Sequence, residues 1–432
     1  MPSGGLFAGQ DWRIAGRPFP LGTALAAELE KLGRILLQFN KAANLLYRLS
    51  AQGRQPEWVA SLLDQGKPSE LIALQRDPAF KNEVPRVLRP DLLITEEGLA
   101  ITELDSVPGG IGLTGWLNEA YGSSDPGNPS AIAPAVVGGP TGMLEGFASI
   151  FGDAPKVHIV VSDEAATYRP EMEWISQKLG SDRFHVHGGD FDGTGAADGD
   201  AVYRFFELFD LPNVRGSARL FQRASAKTLQ VTPPVKPLFE EKLLLALLWN
   251  RNLRGFWRQE LGEGFLDRLQ KLVPYTWVID PAPMPPHAAF PELGLTDWHQ
   301  LKALSQRERA LVLKVSGFSD QAWGARSVTL GSDVPVGEWS VAVDNALRAF
   351  PVSPFVLQRF HRPRVVDFEW FDFTANTFAA MPGRVRLCPY YFVSGRGDEA
   401  RAKLGGVLAT VCPADKKIIH GMRDAVLAPC SI

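Results

Sequence analysis

"RPDLLITEEGLAITELDSVPGG", residues 89–110, decides how this chain folds: it is apolar enough for a core hairpin, yet it carries Arg89, Asp91, Glu103 and Asp105. Two strands, 89–95 and 99–105, leave Glu96-Glu97-Gly98 as a three-residue turn, with Gly98 where a left-handed backbone is wanted. That register sets Thr95 against Leu99, Leu93 against Ile101, Asp91 against Glu103 and Arg89 against Asp105. Strand side chains alternate, so these eight residues share one face, and Pro90, Leu92, Ile94, Ala100, Thr102 and Leu104 share the other. Three carboxylates and one guanidinium are thereby gathered at one end of one face.

Such a cluster has two meanings. It is the solvated end of a hairpin with an ordinary cross-strand Arg–Asp pair, or it is a site. Mg²⁺ is held by one or a few carboxylates together with phosphate oxygens and water, and a guanidinium forks onto phosphate. The apolar opposite face and the glycine-rich "SVPGGIG" that follows favour a nucleotide–metal site.

The whole chain sets the bounds. Its 432 residues suggest two to four structural units, at roughly 150 residues each. A hydrophobic content of 45% with 22% charged residues is that of a globular chain, and a net charge of −3 gives no reason to expect nucleic acid or an anionic membrane as partner. No apolar run reaches the ~18 residues of a membrane span, and no charged-then-apolar leader opens the sequence, so a cytoplasmic location is expected. Cys388, Cys412 and Cys430 are odd in number, widely spaced and without a CxxC pair, which suits free thiols in a reducing compartment.

Outward from the hairpin, residues 22–53 have the spacing of a long amphipathic helix and residues 56–65 of a shorter one. Strand and helix patterns alternate between residues 150 and 230, as in a small α/β unit. A helical block containing "EEKLLLALLW" follows, and the remaining sequence alternates strands with turns. The pattern predicts an α+β fold.

Further candidate residues lie in this second half. Lys242 opens the "KLLLALLW" helix, and Lys314 sits between Leu313 and Val315 on a strand, so its side chain either leaves the sheet for water or points at an anion. The following "SGFSDQAWGARSV", with Gly317 and Gly324, could fold over phosphates through backbone N–H groups. "FVLQRFH", with Gln358 and Phe360, could offer backbone groups to an adenine. His185 and His187 alternate on one strand face but lack a third ligand at metal spacing, and the Asp-rich 190–200 lacks the closing Glu of an EF-hand.

Taken in this order, the stretches resemble the circularly permuted ATP-grasp family, in particular the synthetase domain of glutathionylspermidine synthase and its uncharacterised relatives. Arg89-x-Asp91 and Glu103-x-Asp105 are similar to that family's phosphate-contacting arginine and Mg²⁺ ligands. Lys242 with Leu248-Trp249 is similar to its ATP-contacting helix, and Lys314 takes the place of its second ATP lysine. The third metal ligand, usually Asn, is Asp105 here, and the Gly-Arg-Glu-Gly phosphate loop is replaced by a longer stretch. The resemblance implies a metal-lobe hairpin with N-terminal helices over 1–130, an inserted α/β domain over 131–235, a lysine-bearing lobe over 236–357 and the remainder of the metal lobe over 358–432. It further implies an ATP- and Mg²⁺-dependent carboxylate–amine ligase acting on small molecules. Asp91, Glu103 and Asp105 would be the metal ligands and Arg89 the catalytic arginine. Lys242, Lys314, Gly317, Gly324, Gln358 and Phe360 would bind ATP. A protein of this fold that binds nucleotide without ligation is the alternative.

Overall fold

The hairpin forms from Val87–Thr95 and Gly98–Asp105, and its charged end has Arg89 opposite Asp105 and Asp91 opposite Glu103. The tip differs from the sequence expectation. Only Glu96 and Glu97 lie between the paired Thr95 and Gly98, and Gly98 adopts a φ of 125°. Thr95 ties the turn by donating its hydroxyl to the Gly98 carbonyl (2.9 Å) and accepting from the Glu97 N–H (3.2 Å). A turn shorter by one residue would slip the register and send every following side chain to the wrong face. A β-bulge between the tip and the charged end absorbs the slip: Leu92 opposes Ile101, Asp91 opposes Glu103, and Thr102 is the extra residue. Ile101 is therefore opposite Leu92 rather than Leu93, and both are buried, at 1% and 0% exposure. The gain from seating a large aliphatic side chain in the core, about 1.5–3 kcal/mol, explains why the chain accepts one extra residue in this strand.

In this computed structural model the described residues are 5–7, 12–123, 135–285, 287–322, 326–419 and 424–432. The chain divides into two compact units, one made of 1–41, 73–239 and 363–432 and the other of 42–72 and 240–362.

In the first unit the hairpin joins an eight-stranded sheet by pairing Val87–Thr95 with Thr377–Ser394, almost three hundred positions away. Arg401–Pro413 and Val426–Ser431 continue the sheet antiparallel, and Val365–Asp372 pairs with the early part of Thr377–Ser394. Against this sheet lies the first part of the long helix Thr23–Ala51, where Tyr391 donates its hydroxyl to the Leu29 carbonyl at 2.6 Å. The unit also contains a parallel four-stranded sheet, in the order Phe184–His187, Val157–Val161, Ala201–Phe205, Gln230–Thr232. Val157–Val161 and Ala201–Phe205 are buried along their whole length, as parallel strands covered on both faces should be.

The second unit is built on an antiparallel sheet in the order Thr329–Leu330, Leu311–Val315, Phe355–Arg359, Thr276–Ile279. One face carries Leu311, Leu313, Leu357, Trp277 and Ile279 into a core with Trp298 and Trp339. Alternation leaves Lys314, Gln358 and Thr276 on the opposite face. Among the described residues, no helix is long and apolar enough to cross a membrane.

Candidate functional site

The charged face of the hairpin is joined by residues the hairpin alone could not reveal. Arg386 lies opposite Leu93 in the neighbouring strand, so alternation brings Arg386, Cys388 and Tyr390 onto the face of Asp91 and Arg89. Arg89 Nε stands 3.1 Å from Asp91 Oδ1, and its Nη2 stands 3.0 Å from Asp105 Oδ2. Arg386 Nη1 donates to Asp91 Oδ2 at 3.0 Å, and the Cys388 thiol donates to Oδ1 at 3.5 Å. Asp105 also accepts from the Val107 N–H at 2.8 Å. Arg89 Nη1 and the Tyr390 hydroxyl both donate to the Gly109 carbonyl, at 3.2 and 2.8 Å. The Arg386 Nε is buried without a hydrogen-bond acceptor, while the buried Arg89 Nε faces Asp91 in the ion pair above.

Electrostatics follow from this packing. Burial alone would lower the Arg89 pKa, but Asp91 and Asp105 raise it well above the usual arginine value. Burial raises Asp105, Arg89 opposes that, and the neighbouring Glu103 and Asp91 charges add to it. The Cys388 thiol is pushed up to about 12 by burial and the Asp91 charge, so it is a protonated donor and not a nucleophile.

Asp91, Glu103 and Asp105 do not converge as a three-carboxylate group. Among the described residues, no three His, Cys, Asp or Glu side chains are disposed to hold a metal ion. The physical reason is the neighbouring strand: Asp91 is buried at 5% exposure, and its two oxygens face Arg89, Arg386 and Cys388. Its donor set therefore does not fit a metal ligand. Glu103 and Asp105, both half-buried on the last strand of the sheet, do fit a cation that brings its own oxygen ligands, because their mutual repulsion favours added positive charge.

Glu171, from the helix Arg169–Leu179, completes this region. Its carboxylate accepts from the N–H groups of Gly110 (3.2 Å) and Leu113 (3.0 Å), at the start of the helix Ile111–Gly122. Burial raises its pKa to about 7, against those N–H groups, which lower it. Glu171 inside "RPEMEW" carries no signal of this role in the sequence.

In the second unit, Lys314 is 5% exposed and donates to Gln358 Oε1 at 3.1 Å; Gln358 Nε2 donates in turn to Thr276 Oγ1 at 3.0 Å. Lys314 is thus buried within the unit, and the Gln358 side chain is engaged on Lys314 and Thr276. Lys242 precedes the helix Leu243–Trp249 and directs its ammonium at the carbonyls of Ala322 (3.2 Å) and Ser316 (3.4 Å), anchoring the loop expected to cover phosphates. The same junction holds Ser316, which donates to Glu241, and a Lys67–Glu241 ion pair of 2.5 Å with both side chains 1% exposed. At Gly317 a Cβ would stand 2.3 Å from the Glu240 carbonyl oxygen, so only glycine allows this loop to approach so closely. Gly324 lies outside the described residues. Phe360 is half-buried and its N–H donates to the Ala310 carbonyl at 3.0 Å.

The histidines form a cluster that sequence spacing missed, because the third member comes from the adjacent strand. His158 contacts His187 Nε2 through Nδ1 (3.0 Å) and Asp200 Oδ2 through Nε2 (3.2 Å). Burial lowers the His187 pKa to about 4. The acidic stretch 190–200 is a set of turns, in which Asp192 accepts from the Thr194 N–H and Asp200 from that of Ala197.

No protein-family model matches the chain, and no curated protein matches it. Solved structures do. A glutathione synthetase-like effector from Globodera pallida aligns over 98% of this chain and 90% of its own, with a TM-score of 0.56 at 11% identity. A protein provisionally named gamma-glutamylcysteine synthetase, from Methylobacillus flagellatus, aligns over 91% and 88% at 12% identity, but its TM-score of 0.41 leaves nothing to rest on it. The likeness to the first is one of fold alone: this chain has an α+β fold similar to that effector's.

Proposed function

We propose that the protein is an ATP- and Mg²⁺-dependent ligase joining a small-molecule carboxylate to an amine through an acyl phosphate. The observation that carries this is the charged face of the hairpin, where Arg89 meets Asp105 beside Glu103 and the neighbouring Arg386 keeps a buried Nε without a hydrogen-bond acceptor. Donors of that kind suit an oxyanion, and paired guanidiniums suit a phosphoryl group better than ammonium groups do. The fold shared with a glutathione synthetase-like effector adds support.

Mg²⁺ would be held by Glu103 and Asp105 and would supply charge neutralisation to the phosphates. Lys242 and Lys314 would bind the α- and β-phosphates, the backbone around Gln358 and Phe360 the adenine, and the loop at Gly317 and Gly324 the phosphate chain. Arg89 would hold the γ-phosphoryl as a substrate carboxylate oxygen attacks it and ADP departs. An amine then displaces phosphate from the acyl group. The chain's part is positioning and electrostatics, with no covalent enzyme intermediate.

The test has two stages. ATP with Mg²⁺ should stabilise the protein against heat, by about 2.7 kcal/mol at a hundredfold excess over Kd, and EDTA should remove most of the effect. Pooled carboxylates and amines should then release ADP and phosphate. Stabilisation without ADP release in any pool would favour the second reading, a nucleotide-binding protein without ligation, which the closed pairing of Asp91 with two arginines supports. Absence of stabilisation at millimolar MgATP would remove both readings.

A further inference from the structure

The second unit contains a pocket of about 600 Å³ that none of the residues discussed above explains. Small-molecule sites generally fall between about 300 and 1,000 Å³ and are mostly apolar with a few placed polar groups. One wall of this pocket is a ladder of three rings: Trp249 stacks on Tyr275 with centroids 4.5 Å apart, and Tyr275 meets Trp277 at 4.6 Å. The indole N–H groups of the ladder are already used, Trp249 donating to the Pro274 carbonyl and Trp277 to that of Pro291. What these rings offer a visitor is therefore their apolar surface. Trp58, 38% exposed, lies on the helix that supplies another wall.

Two charged residues line the pocket, and they are of opposite sign. Burial raises the pKa of the Tyr275 phenol, and Arg251 lies close enough for its charge to lower it, so the guanidinium stands beside the ladder. Asp280, half-buried, follows the strand Thr276–Ile279 and uses Oδ1 to accept from the Ala282 N–H. No salt bridge joins Arg251 to Asp280 among the described residues. A neutral apolar ligand would use neither charge, and a simple anion or cation would use one.

From the stacked rings and the two unjoined opposite charges, we infer that this pocket binds a small zwitterion with an aromatic ring, of which an aromatic α-amino acid is the simplest form. The ring lies against the ladder, the carboxylate meets Arg251 and the ammonium meets Asp280. Its ligand differs from that of the proposed ATP chemistry, although Thr276, which accepts from Gln358, also lines the pocket.

Three probes with the same ring separate the contributions: L-tryptophan, tryptamine and indole-3-propionate, titrated calorimetrically into the intact protein. L-Tryptophan should bind at least fivefold more tightly than either singly charged analogue. Arg251→Ala should reduce its affinity to the level of tryptamine, and Asp280→Asn, which keeps the oxygen facing the Ala282 N–H, to that of indole-3-propionate. Trp58→Ala should weaken all three, and melting curves would show that each variant is folded. The inference is overturned if either analogue binds as tightly as L-tryptophan, if both charge variants leave its affinity unchanged, or if no probe binds at millimolar concentration.

Discussion

Both units bury positive charge on one face of a sheet, but they surround it differently. On the hairpin face, Arg89 and Arg386 meet Asp91 and Asp105, so cations are held by anions in an ion-pair network. On the lysine sheet, Lys314 donates to a neutral amide oxygen, and Lys242 donates to backbone carbonyls. Removing one member of a buried ion pair strands the other charge, whereas removing a cation from neutral oxygens costs the loss of hydrogen bonds. On the hairpin face, substitution of a guanidinium therefore strands a buried carboxylate.

The largest expected effect tests this. Arg386→Ala should destabilise the protein by about 3 kcal/mol, read from denaturant unfolding, because it takes from the buried Asp91 one of the two guanidiniums that neutralise it. A loss under 1 kcal/mol would mean that Asp91 can find water and that the network is looser than its distances suggest.

Glu171 sharpens the comparison through pH. Its folded-state pKa of about 7 lies above the ordinary 4.5, so the folded state binds the proton more tightly. That contribution to stability is complete below pH 4.5 and is lost as pH rises through 7. It amounts to at most about 3 kcal/mol across the window. Glu171→Gln should flatten the stability profile between those limits, and an unchanged slope would place the titration elsewhere.

Next in size is Arg89→Lys. If the proposed ligation is right, it should lower single-turnover ADP formation about tenfold, or ~1.4 kcal/mol, with ATP affinity little changed. An ammonium cannot replace the fork that now spans Asp91, Asp105 and the Gly109 carbonyl. Full turnover would make Arg89 a structural partner of Asp105.

The smallest effect on stability is expected at Lys314→Met, about 1 kcal/mol for the lost Gln358 bond. The same variant should weaken MgATP binding by tenfold or more in a thermal-shift titration. If stability falls by as much as with Arg386→Ala, the contrast between the two faces fails.

The charged end of the hairpin was legible because strand alternation is short-ranged: Arg89 against Asp105 and Asp91 against Glu103 need only a local register. The bulge was not, since nothing in "LAITEL" marks Thr102 as the extra residue and the need for it arises from the core below Ile101. Arg386 and Cys388 could have been placed on one face of "VRLCPYY" by alternation, but the pairing that brings that face to Asp91 spans 295 positions for Arg386. The assembly at Ser316 was invisible for the same reason, because Lys67 and Glu241 are 174 positions apart. The α+β class followed from the succession of strand and helix patterns, which depends on each segment's own composition. The aromatic pocket did not, because its ring ladder draws on Trp249, Tyr275 and Trp277 from separate elements.

The bulge at Thr102 has an effect on how this hairpin can change. It acts as a slip joint: the tip on one side and the Arg89, Asp91, Glu103 and Asp105 quartet on the other keep separate phase. A one-residue insertion or deletion at Glu96-Glu97 can be taken up by gaining or losing the bulge, with the quartet left in place. The exposed tip is consequently a place where length and sequence can drift, or where a tag can be grafted, without rewriting the charged face.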